Sequence, residues 1–62
     1  MLKIGDLVAA NPDYYPRLAG KVLIIIERHA HGWVVATGER THPYAIEEAD
    51  LELVKAAPAE RY

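Results

Sequence analysis

Lys21-Val22-Leu23-Ile24-Ile25-Ile26-Glu27 is the stretch that decides the fold. Its apolar residues run unbroken, most of them are β-branched, and Gly20 and Glu27 bound the run, which marks a strand. A strand with one solvated face alternates apolar and polar residues. A continuous run means that both faces are covered. Either the strand is central and bent, with Tyr15 and Leu18 folded over its outside, or its outer face meets another subunit or another protein. Leaving two such side chains wet forgoes roughly 1.5–3 kcal/mol each, a large share of what stabilises a small domain.

Outward from this run the chain is punctuated into short pieces. Leu7 to Ala10 follows Gly5-Asp6 and reads as a first strand. Asn11 to Gly20 (NPDYYPRLAG) is dense in turn-forming residues and reads as a long loop. His29 to Gly32 turn the chain, and Trp33 to Thr37 form a third strand. Gly38-Glu39 fits a two-residue hairpin turn, which pairs Thr37 with Arg40 and sets Trp33 opposite Tyr44. Alternation then puts Trp33, Val35, His42, Tyr44 and Ile46 on one face, with Pro43 at an edge or a bulge. Glu47 to Asp50 is the length of one 3₁₀ turn, and Leu51 to Val54 is the last strand. No window keeps the i, i+3, i+4, i+7 apolar spacing of a helix. The expected fold is all-β: a five-stranded SH3-like barrel over residues 1–54 with a long first loop, followed by a flexible tail over 55–62.

Length and composition set the limits on function. The chain has 62 residues, enough for one domain, and no cysteine, so neither disulfides nor thiolate metal sites support it. Seven basic residues face nine acidic ones, for a net charge of −2, which weighs against a phosphate-binding surface. MLKIGDLV is too short and polar for a signal peptide, and no apolar run approaches a membrane span. The expectation is a cytoplasmic protein without membrane contact.

The segments Ile4-Gly5-Asp6-Leu7-Val8 and Leu18-Ala19-Gly20-Lys21, followed by the β-branched run, are similar to the opening of KOW-type and related SH3-like barrels. Tyr44 through Glu48 to Leu51 and Val54 resembles how such barrels close. The likeness spans residues 3–54. The second glycine that KOW domains carry soon after Gly-Lys is replaced by Leu23. The KOW resemblance implies binding to RNA, ribosomes or transcription machinery. More distantly, the Gly-Asp start and closing strand look similar to the type II dihydrofolate reductase barrel, a homotetramer. Its Val-Gln-Ile-Tyr run has no counterpart in His42-Pro43-Tyr44-Ala45-Ile46, so its activity does not carry over.

The primary expectation is a non-enzymatic protein–protein interaction or assembly module able to form a homo-oligomer, with no cofactor and no metal. Its partner-binding candidates are Tyr14, Tyr15, Leu23, Ile25, Trp33 and Tyr44, since tyrosine and tryptophan join large contact area to a polar edge. The alternative is nucleic-acid or ribonucleoprotein binding, with Lys3, Arg17, Lys21, Arg28 and Arg40 on phosphates and a tyrosine stacked on a base. His29 and His31 share a metal-ligand spacing but read as a solvated turn. The acidic residues Glu47, Glu48, Asp50, Glu52 and Glu60 read as a solvated surface, not as an acid–base pair.

Overall fold

The structure is a computed structural model that describes residues 2–37 and 43–58. Five strands appear in chain order: β1 (Leu7–Ala10), β2 (Leu23–His29), β3 (Gly32–Ala36), β4 (Tyr44–Glu47) and β5 (Leu51–Lys55). One 3₁₀ turn, Pro16–Leu18, lies in the first loop, and a second, Glu48–Asp50, precedes β5. The strands form one antiparallel sheet in the order β4-β3-β2-β1-β5, so the decisive apolar run occupies the central strand.

That run divides cleanly by parity. Leu23 and Ile25 are fully buried, whereas Val22, Ile24 and Ile26 are 50%, 37% and 46% exposed. The inner face meets Val8, Ala10, Trp33, Val35 and Ile46 in one core, with Leu18 brought in from the first loop. Leu2, Tyr15, Tyr44 and Leu51 pack around its rim. Among the described residues the core therefore covers one side of the run. On the other side Ile24 pairs with Leu7 of β1 and Ala36 of β3, and the row stops there with Lys55 of β5 opposite Leu7.

Two strand bounds differ from the sequence reading. β2 begins at Leu23 and runs on through His29, so the turn shrinks to Ala30-His31, with Ala30 at φ 25°. A bulge between Ile25 and Glu27 lets the strand continue: it turns Glu27 outward opposite Val34 and leaves Ile26 as the extra residue. Lys55, expected in the tail, closes β5, and the backbone N–H of Ala57 donates to the Asp6 carboxylate at 2.8 Å.

The β3–β4 register is also corrected. Trp33 lies opposite Ile46 and Val35 opposite Tyr44, in place of Trp33 opposite Tyr44. Gly32 explains this. A Cβ there would collide with the Ile46 carbonyl oxygen and sit 2.6 Å from Glu47 Cα. Only glycine tolerates this approach, which fixes Gly32 against Glu47 and sets every pair after it. The Gly38-Glu39 turn, Arg40 and His42 lie outside the described residues. The face assignment itself holds for Trp33, Val35 and Ile46, which are all buried.

Candidate functional site

The loop after β1 is organised by Asn11. Its N–H donates to the Asp50 carbonyl at 2.8 Å, tying the loop to the second 3₁₀ turn. Its side-chain oxygen accepts the Asp13 N–H at 3.0 Å, and its carbonyl accepts the N–H groups of Tyr14 and Tyr15. Such side-chain-to-backbone bonding is how Asn builds turns. Pro16 opens the following 3₁₀ turn, and Leu18, 3% exposed, plugs into the core. Tethered at both ends, the loop holds two adjacent tyrosines in different environments. Tyr15 packs against the core rim, while Tyr14 is 71% exposed.

Tyr44 enters from β4 and completes an open groove of about 210 Å³ with Tyr14, Tyr15, Pro16, Arg17 and Leu18. Its lining is mainly rings and aliphatic carbon, and Arg17 is the charged residue among them. Larger depressions exist on the described surface. One of about 380 Å³ between the end of β1 and the second 3₁₀ turn offers Asp50 and Glu52 but no ring. Aromatic rings give large contact area at low entropic cost. The tyrosine groove is smaller but gathers three such rings.

The remaining candidates are distributed elsewhere. Leu23, Ile25 and Trp33, expected as surface anchors, are core residues at 0%, 0% and 5% exposure. Trp33 Nε1 donates to Glu48 Oε1 at 3.0 Å, and the Arg28 guanidinium lies 4.6 Å from the centre of its ring. The indole thus joins β3 to the second 3₁₀ turn and holds Arg28 by a cation–π contact. Of the basic residues, Lys3 pairs with Asp6 at 3.4 Å, Arg28 is on Trp33, and Arg17 is in the groove. Lys21 stands just before β2. Arg40 is outside the described residues. Among the described residues no cluster of three His, Asp or Glu side chains is placed to hold a metal, and no helix is long and apolar enough to cross a membrane.

Asp6 was not a sequence candidate, yet among the described residues it is the buried polar one, 1% exposed. Its carboxylate accepts from Ala57 N and, at 2.9 Å, from Lys3 N, clasping the segments before β1 and after β5. The Ala57 N–H does most to hold the carboxyl below the usual carboxylate range; burial works against it, and the Lys3 N–H and ammonium add to the lowering. Its role is structural. An unbroken apolar run contains no parity signal, so it does not say which of its residues face outward; the structure turns Ile24 and Ile26 out.

No known protein-family model, curated protein or solved structure matches this chain.

Proposed function

We propose that this chain is a small SH3-like barrel that acts as a non-enzymatic protein-interaction module, and that it takes an extended segment of a partner protein in the Tyr14–Tyr15–Tyr44 groove. The barrel reading is supported by the strand order, with a central bulged β2, a long loop between β1 and β2 and a 3₁₀ turn before β5. One observation carries the binding reading: tyrosines from two segments 30 residues apart in sequence (14 and 44) converge with Arg17 on one open groove. Two of the rings rest against the core, which pre-organises them, while Tyr14 is free to close on a ligand.

The test is selection of binding peptides from a random displayed library, followed by titration of isotope-labelled protein. The expected result is shifts confined to Tyr14, Tyr15, Arg17, Leu18 and Tyr44. Tyr14→Ala should weaken binding by about tenfold, as loss of an aromatic anchor does, and leave the fold intact. Failure to select any peptide, or shifts elsewhere, overturns the reading. Salt-dependent displacement of the peptide by an oligonucleotide would replace it with the nucleic-acid alternative.

A further inference from the structure

We infer that the tyrosine groove selects an acidic ligand: an extended segment of a partner protein in which one Asp or Glu stands beside an apolar side chain. This specificity rests on the binding reading proposed above and names its ligand.

The groove is unbalanced in charge. Arg17 lines it with Tyr14, Tyr15, Pro16, Leu18 and Tyr44, and no acidic residue is among them. Two other cations of the fold are already engaged, Lys3 by Asp6 at 3.4 Å and Arg28 by the Trp33 ring at 4.6 Å. Among the described residues the Arg17 side chain has no ion pair, hydrogen bond or ring contact. Asp13 is the one acidic residue between β1 and β2. It neither lines the groove nor pairs with Arg17. The guanidinium, a donor that cannot accept, thus keeps its full bonding capacity for a ligand. The hydroxyls of Tyr14, Tyr15 and Tyr44 likewise have no partner among the described residues, so each can donate as well.

Backbone bonds fix the frame that carries these donors. The Tyr15 carbonyl accepts the Leu18 N–H at 2.9 Å and the Pro16 carbonyl the Ala19 N–H at 3.3 Å, closing the first 3₁₀ turn. The Leu18 carbonyl accepts the Lys21 N–H at 3.0 Å. Leu18 is anchored in the core, so the backbone of Arg17 beside it is held while its exposed side chain remains able to reach. A guanidinium grips a carboxylate through a pair of parallel N–H···O bonds, which adds geometric selectivity to charge. The rings beside it offer contact area to the ligand's apolar side chain.

The number of charges decides between a peptide and a nucleic acid. A nucleic acid repeats a phosphate at every nucleotide and is held by several cations along its track. This groove is lined by one cation, in a chain of net charge −2. One carboxylate flanked by apolar residues matches one cation set among rings, whereas a basic segment would bring like charge onto Arg17.

Parallel selections from a random displayed peptide library, against the wild type and against Arg17→Glu, test this. The wild-type pool should be enriched in Asp or Glu beside an apolar residue, and the Arg17→Glu pool should exchange that acid for Lys or Arg. For a peptide from the wild-type pool, Arg17→Ala should weaken binding roughly fivefold, the size of a solvated ion pair. Arg17→Glu should weaken it about tenfold or more, because attraction becomes repulsion, and Lys in place of the peptide's acid should restore binding to that variant. Peptides that shift the groove tyrosines but show no acidic preference, or keep that preference on Arg17→Glu, overturn the specificity and leave the groove reading standing. A library that yields no groove binder overturns both.

Discussion

The two faces of β2 have nearly the same composition and opposite fates. Leu23 and Ile25 are sealed in the core, while Ile24 and Ile26, one residue along, keep more than a third of their surface in water. Hydrophobicity does not distinguish them, since Ile24, Ile25 and Ile26 are identical. The difference lies in what stands opposite. Trp33, Val35, Leu18 and Ile46 fill the inner side, and the outer side has no such buried cluster among the described residues. A domain this small buries only a modest share of its apolar surface.

Shortening one side chain on each face should separate the two. Ile25→Ala should cost about 2–5 kcal/mol through lost burial and a cavity, and Ile24→Ala under about 1 kcal/mol. Urea unfolding of dilute protein measures both. Gly32→Ala comes next. It forces β4 away from β3 where backbone atoms would collide, and should cost about 1–3 kcal/mol, read in the same titration. The size of its effect reports how firmly the inner register is pinned.

Acid should act through Asp6, which ties the chain ends flanking β1 and β5. Its carboxyl titrates below its unfolded value, so the clasp contributes fully above the ordinary carboxylate range and is lost as pH falls through the lowered value. Asp6→Asn should be less stable than the wild type at neutral pH, and that gap should narrow in acid; thermal melts from neutral to strongly acidic pH read it. An unchanged gap across that span would remove Asp6 as the titrating group. The smallest effect is at the core's rim. Glu48→Ala deprives Trp33 Nε1 of its acceptor and should cost about 0.5–1.5 kcal/mol, with altered tryptophan fluorescence.

Much of the architecture was legible because it rests on local punctuation. β1 fell on Leu7–Ala10 as expected, and the 3₁₀ turn before the last strand was a matter of length. What failed depended on tertiary contact. The β3–β4 register is set by Gly32 pressed against Glu47, a contact that no local pattern around Gly38-Glu39 announces. Which isoleucines face inward was hidden because five consecutive apolar residues carry no period of two. For the candidate site, Tyr14, Tyr15 and Tyr44 were visible as residue types suited to recognition. Their convergence, and the withdrawal of Trp33 into the core, needed the strand order.

β2 sends Leu23 and Ile25 into the core and keeps Ile24 and Ile26 partly in solvent. Urea unfolding of dilute wild type, Ile24→Ala and Ile25→Ala reads that partition. The midpoint should fall far for Ile25→Ala and barely for Ile24→Ala. Equal losses for the two variants would contradict a strand with one buried and one solvated face.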